Sequence, residues 1–194
     1  MITTGKISQK KLLFEKQHLE RLKKASRYFA FPFDQEVLKQ KIEKEYQSCG
    51  VHQDYRIRIS LSKSGEIEIE RQVLTPLSSS FCQAKLCQKA ADLEQAFTYF
   101  KTTHRPHLTV GEQEIIYHTA DGKLLETSIG NLVLKMNSKL YTPPSQLGLL
   151  PGIYRQHLLE SGQVEEKVLT IEDLKQAEVI YACNAVRGLY ELKI

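Results

Sequence analysis

No stretch of this sequence approaches the roughly 18 consecutive apolar residues that a membrane-spanning helix requires, so its 41% hydrophobic content points to a soluble globular fold. The N-terminal MITTGKISQKK lacks the charged, then apolar, then small-residue order of a secretory signal, and a cytoplasmic protein is expected. The four cysteines, Cys49, Cys82, Cys87 and Cys183, are scattered, with no C-x-x-C pair and no Cys/His spacing that suits zinc. Neither a disulfide framework nor a metal site is therefore expected. Basic residues interleaved with aromatics are also missing, as is any zinc-finger spacing, and no nucleic-acid partner is expected. Between Lys6 and Arg27 eight basic residues face two acidic ones, a pattern that reads as a solvated helix face. Internal repeats and low-complexity tracts are absent as well.

What is present suits one good core, or two small ones, in a chain of 194 residues. Leu19, Leu22, Ala25 and Phe29 recur at threes and fours, which predicts a helix over Glu15 to Ala30 that Pro32 ends. Asp34 is placed to cap a second helix with Val37, Leu38, Ile42 and Tyr46 on its inner face and Gly50 at its end. The period then drops to two. Tyr55, Ile57, Ile59 and Leu61 alternate with polar residues, a turn follows at Lys63-Ser64-Gly65, and Ile67, Ile69 and Val73 return, predicting a hairpin with arginines opposite glutamates. Pro76 and the serines after it break the pattern. These signals divide the chain into a small N-terminal α/β domain over 1–80, a linker over 81–96 and a C-terminal domain over 97–194.

The C-terminal part alternates short strands with few short helices. A strand near Ala84 to Gln88 leads through a polar stretch at Lys89 to Gln95 into KTTHR, Lys101 to Arg105, which lacks helical periodicity. Strands are expected at Leu124 to Ser128 and Leu132 to Met136, a helix from about Ile153 to Glu160, a strand at Val164 to Leu169, a capped short helix from Thr170, and a last buried strand at Val179 to Cys183. Many strands and few helices favour an α+β class with a closed sheet over a doubly wound one.

Within this half three features carry chemistry. Lys101 follows the aromatic run Phe97, Tyr99 and Phe100, where desolvation lowers an amine's pKa and makes it a nucleophile; a snorkelling surface lysine gives the same letters. Arg105, four residues on, suits a substrate carboxylate. Glu126 lies in a strand among apolar residues, placed to keep a ring nitrogen protonated or else simply exposed. Gly152-Ile153-Tyr154-Arg155 opens a helix after proline, so unpaired N–H groups and the positive dipole end suit a phosphate, although helix initiation after proline reads the same way.

Five segments in order along the chain resemble one family. KTTHR is similar to K-x-x-N-R, LETSIGNLVL to E-x-x-x-x-N-L-[FV], LLPGIYR to L-P-G-[IV]-x-R, YACNAVRG to a C-terminal C-N-[AS] or N-S-V-R-G segment, and HLERLKKASRYFAFP to the family's phosphate-arginine helix. The family is that of fold-type IV enzymes dependent on pyridoxal 5'-phosphate (PLP), and among them the sequence most resembles the aminodeoxychorismate lyases. The resemblance implies a two-domain α+β fold whose larger C-terminal domain is a closed-sheet pseudo-barrel binding PLP. It implies that Lys101 is the Schiff-base lysine and later moves the proton, that Glu126 pairs with the pyridine nitrogen, and that Arg21, the N–H groups of Ile153 and Tyr154, and Asn184 hold the phosphate. Arg105, Arg187 and His104 are implied substrate contacts, His104 standing where the family has asparagine.

The reaction so implied converts 4-amino-4-deoxychorismate to 4-aminobenzoate and pyruvate for folate synthesis. The alternatives are a branched-chain or D-amino-acid aminotransferase of the same fold, and a catalytically degenerate PLP-binding or structural module of a synthase-lyase assembly. A homodimer is implied, as is association with or fusion to aminodeoxychorismate synthase. Two departures stand out: the interval from Lys101 to Glu126 is short, and the family generally has a strand or more ahead of the Arg21 helix, so the small domain is expected to lack its first strand.

Overall fold

A computed structural model describes residues 1–89, 95–105 and 108–194 and divides into two compact units, Met1–Pro76 with Phe100–Thr103, and Leu77–Tyr99 with His104–Ile194. The polar stretch and the linker read over 81–96 fall partly outside the described residues. Their described part is not a connector: Phe81–Gln88 is a strand of the second unit's sheet.

The first unit is an antiparallel sheet covered by two helices. Its strands are β1 (Ile2–Ser8), β2 (Lys11–Leu12), β3 (Tyr55–Leu61) and β4 (Ile67–Val73), in the order β2-β1-β3-β4. Helices α1 (Glu15–Phe29) and α2 (Gln35–Ser48) carry the expected apolar faces, and the Asp34 side chain accepts from the N–H groups of Glu36 and Val37 as the capping pattern predicts. Ile7, Leu22, Leu38, Ile42, Ile57, Ile59 and Leu61 are essentially fully buried, and Phe29, Phe31 and Phe100 pack against them. The β3–β4 hairpin sets Arg58 opposite Glu70 in an ion pair at 3.6 Å, whereas Arg56 meets Gln72.

Strand β1 corrects the expectation of a missing strand ahead of α1. It pairs with β3 from Ile2↔Ser60 to Ile7↔Tyr55, and its buried positions are Thr3, Gly5 and Ile7. Two of those three are not large apolar residues, so the strand leaves no hydrophobic alternation to read. The space is taken by His18 of α1. A Cβ added to Gly5 would lie 2.5 Å from His18 Nε2, so only glycine lets the ring pack against the strand.

The second unit is a closed sheet. Strands β5 (Phe81–Gln88), β6 (Glu114–His118), β7 (Leu124–Thr127), β8 (Asn131–Met136), β11 (Val179–Asn184) and β12 (Gly188–Lys193) form a ring, since β7 also pairs with β8. Strand β5 runs parallel to both neighbours, β6 and β12, and the other joins are antiparallel. Closure leaves few edges, and β9 (Lys139–Thr142) with β10 (Glu165–Glu166) extends the sheet beside β8. The ring is filled by Ile116, Leu124, Leu132, Leu134, Ala182 and Leu192.

Two sequence expectations change here. Val164 to Leu169 contributes only the two-residue β10, and β12 follows what was read as the last strand. The helices are α3 (Gln95–Tyr99), α4 (Ile153–Glu160) and α5 (Ile171–Gln176), the last opened by the expected Thr170–Asp173 capping box.

Candidate functional site

Glu126 is the centre of the second unit's polar interior. It is 2% exposed, and it stands in β7 directly across from Asn131 at the start of β8. The five-residue spacing of the E-x-x-x-x-N pattern thus has a geometric meaning: a tight turn, closed by Thr127 N–H to Gly130 O at 2.9 Å, brings acid and amide face to face. Both grip the same residue of the next loop. Leu150 N–H donates to Glu126 Oε2 at 3.2 Å, and Asn131 Nδ2 donates to Leu150 O at 2.8 Å. The residue that starts LPGIYR is held from both sides.

Three residues further on, α4 begins at Ile153 with no side chain capping it. The positive end of its dipole suits an anion. Arg155, on the helix's inner face, is 2% exposed and donates to Pro143 O at 2.8 Å while pairing with Glu166, so it anchors α4 to the β9–β10 edge. Leu158 and Val164 pack with Val133 and Cys183, so the helix lies against β8 and β11.

Glu126 faces two cations. Arg105 Nη2 approaches Oε2 at 3.4 Å, and Lys89 Nζ approaches Oε1 at 3.3 Å while donating to Gly148 O at 2.7 Å. Burial pulls the Lys89 pKa down, and Glu126 partly offsets that. In the structure the guanidinium of Arg105, the expected partner of a substrate carboxylate, lies beside Glu126, and its Nε is buried with no partner among the described residues. Lys89 was missed altogether. A lone lysine after a mixed strand gives no signal in the sequence, because pairing with an acid 37 positions later is a property of the fold alone.

The other predicted residues divide between the units. His104 stacks edge-on against Phe97 at 5.1 Å in the second unit. Asn184 closes β11, where its Oδ1 accepts from the N–H groups of Val186 and Arg187 at 2.9 Å each, so its side chain shapes the CNAVRG turn that carries Arg187. The ring of Tyr154 lies beside Gly188 of the same turn. Lys101 and Arg21 belong to the first unit. The Lys101 carbonyl accepts from Ile2 N–H at 2.9 Å, the side chain is half-buried, and both cations lower the pKa of buried His18. A shallow surface depression walled by Glu15 and Tyr46 holds none of the predicted residues.

A profile of the family described as Amino-transferase class IV matches residues 1–193. The chain belongs to that family. Its class IV fold has a close structural likeness in a Mesorhizobium loti protein named "Putative amino-acid aminotransferase", which covers 100% of this chain and 98% of its own with a TM-score of 0.83 at 24% identity. At that identity the likeness is one of fold. A Schizosaccharomyces pombe protein named "Putative aminodeoxychorismate lyase" is 22% identical over 88% of this chain and 79% of its own. The aminodeoxychorismate lyase of Saccharomyces cerevisiae is 25% identical over 75% of this chain and 53% of its own. The chain spans 36 to 79% of the length of the curated relatives it matches. Among the described residues no helix is long and apolar enough to cross a membrane.

Class IV aminotransferases use PLP, and the residues of the second unit fit it. A carboxylate offers about four acceptor positions, and Glu126 spends three of them on Lys89, Arg105 and Leu150, leaving one for a ring N–H. The uncapped start of α4 and the unpartnered Arg105 Nε suit an anionic guest.

Proposed function

We propose that this class IV chain is a PLP-dependent lyase that converts 4-amino-4-deoxychorismate to 4-aminobenzoate and pyruvate. The observation that carries the cofactor assignment is the grip of buried Glu126 on Leu150 at the entrance to α4, which joins a ring-nitrogen partner to a phosphate-binding helix start. The lyase assignment rests on KTTHR and CNAVRG and on the names of the fungal relatives.

PLP supplies an electron sink for the carbon bearing the substrate nitrogen. The chain supplies the rest. Glu126 holds the ring nitrogen, the α4 N–H groups and Arg21 hold phosphate, and Lys101 takes the proton from that carbon and returns it elsewhere. Arg187 orients a substrate carboxylate from the β11–β12 turn. Departure of pyruvate then leaves an aromatic ring, whose stability drives the reaction, so the protein's main contribution is positioning.

An amino-acid aminotransferase is the second reading, favoured by the Mesorhizobium loti neighbour, and it uses the same lysine and glutamate. Incubation of the PLP-loaded protein with 4-amino-4-deoxychorismate is expected to yield 4-aminobenzoate and pyruvate in equal amounts, with Lys101→Ala yielding neither. Transfer of an amino group to 2-oxoglutarate with no 4-aminobenzoate formed would replace the lyase by the aminotransferase.

A further inference from the structure

Among the described residues one lysine is buried, Lys89, and it has no part in the reading above. Lys89 follows directly on β5, at the end where that strand runs beside β6, and its side chain is 7% exposed. Its ammonium reaches two different elements at once: Glu126 of β7 at 3.3 Å and the carbonyl of Gly148 at 2.7 Å. Gly148 has φ of +91° and precedes the run LLPG that enters α4. One amine thus ties the acid to the loop whose Leu150 the same acid holds.

We infer that Lys89 is a positioning residue for the cofactor: it keeps Glu126 aimed, and it fixes the acid relative to the helix start that would take the phosphate. This deepens the PLP reading and rests on it. The chemistry of the ring separates Lys89 from the bonded lysine. In PLP the pyridine nitrogen and the aldehyde carbon stand at opposite positions of the ring, so an amine in contact with the nitrogen's partner is a full ring away from the carbon that a lysine must reach. Lys89 touches Glu126 and is therefore on the nitrogen side.

Electrostatics gives the role its direction. The attraction between ammonium and carboxylate holds the acid in one orientation, and an acid free to turn is a poor partner for a ring nitrogen. Arg105, at 3.4 Å, supplies a second cation, but among the described residues it is the lysine that bonds both the acid and the Gly148 carbonyl. An unpaired charge in that interior is also costly, which is why the two groups hold each other in place.

The test uses four proteins: wild type, Lys89→Met, Lys89→Arg and Lys89→Met with Glu126→Gln. PLP affinity is measured by titration, the pH midpoint of the bound cofactor's visible band is recorded, and borohydride reduction with peptide mapping identifies the bonded lysine. Lys89→Met is expected to weaken PLP binding by about tenfold or more and to move the midpoint upward by at least half a pH unit, because a ring nitrogen whose acid partner is no longer held in place loses positive charge. Lys89→Arg, which keeps the charge, is expected to restore most of both. In the Glu126→Gln background the Lys89 substitution should add little, since the lysine acts through the acid. Loss of packing alone would leave the midpoint in place and would not respond to the acid.

Wild-type affinity and midpoint in Lys89→Met would overturn the inference, and so would a borohydride label on Lys89. A Lys89→Met protein that fails to fold transfers the decision to Lys89→Arg, where a lost visible band with intact folding also overturns it. A wild-type protein that takes up no PLP at all brings down the cofactor reading and this inference with it.

Discussion

Oε1 of Glu114 accepts a 2.8 Å hydrogen bond from the hydroxyl of Tyr190 inside the closed sheet, joining β6 to β12 across the intervening strand β5. Burial raises the Glu114 pKa above its ordinary 4.5, while the Tyr190 hydroxyl works in the other direction. Above pH 4.5 the unfolded chain has therefore lost a proton that the folded one still binds, so stability falls as pH rises through the raised value. Urea unfolding of wild type between pH 4 and 8 is expected to show this decline, and Glu114→Gln to flatten it. Tyr190→Phe removes the donor that favours the charged form, and the decline should extend to higher pH. Parallel curves for all three proteins would show that Glu114 is ionised in the fold.

His18 predicts the opposite slope in the first unit. Its ring is 1% exposed, Nδ1 lies 2.6 Å from Thr3 Oγ1, and burial, then Arg21 and Lys101, lower its pKa from 6.5 to about 3. Below pH 6.5 the unfolded chain binds a proton that the folded one refuses, so stability present at neutral pH is lost as pH falls toward 3. One such proton corresponds to at most about 1.4 kcal/mol per pH unit. His18→Gln should cost stability at pH 7 by opening the contact with Gly5 and Thr3, and yet lose less per pH unit on acidification. Equal acid slopes for the two proteins would mean that the histidine titrates normally.

The contrast between β1 and the β3–β4 hairpin explains what the sequence could and could not convey. The hairpin alternates apolar and charged residues because its inner face meets a hydrophobic core, and each expected strand is there. Strand β1 faces a histidine, so Thr3 and Gly5 stand where leucines would have announced it. The helices α1, α2, α4 and α5 were legible from period, caps and proline for the same reason that the hairpin was. At the candidate site, Glu126 and Asn131 were visible as a spacing, since a tight turn fixes their distance whatever surrounds them. Lys89 and Glu114 were invisible: each meets its partner across an intervening strand of the assembled sheet, and no local pattern encodes a contact of that range.

Gly152 offers a test of the α4 entrance. A Cβ on Gly152 would overlap Asn131 Oδ1, and that amide has no freedom to turn away because its Nδ2 is bonded to Leu150 O at 2.8 Å. Gly152→Ala is expected to cost about 1–3 kcal/mol, the usual range for overpacking a tight site, measured by urea unfolding. Its φ is −69°, so backbone strain adds nothing and the loss is purely one of space. Pairing Gly152→Ala with Asn131→Ala should recover part of the loss. No recovery would show that the alanine methyl is accommodated by moving α4 instead.

Glu126→Gln tests the charge balance of the polar interior without any cofactor. With the acid neutral, Lys89 and Arg105 face each other's charge, and removing one member of a buried pair typically costs about 3–5 kcal/mol. The pH dependence is more specific than the loss. Lys89 already has a lowered pKa in the fold, so between that value and the ordinary 10.5 the unfolded chain holds the extra proton and stability rises with pH. Glu126 is the group that holds the Lys89 pKa up, so without it the window widens toward neutral pH. Glu126→Gln should therefore be weakest at pH 6 and regain stability more steeply than wild type up to pH 9.5, followed by urea unfolding at each pH. A constant gap between the two proteins over that range would mean that Lys89 and Glu126 do not act on each other, and the contact at 3.3 Å would have to be given up as an ion pair.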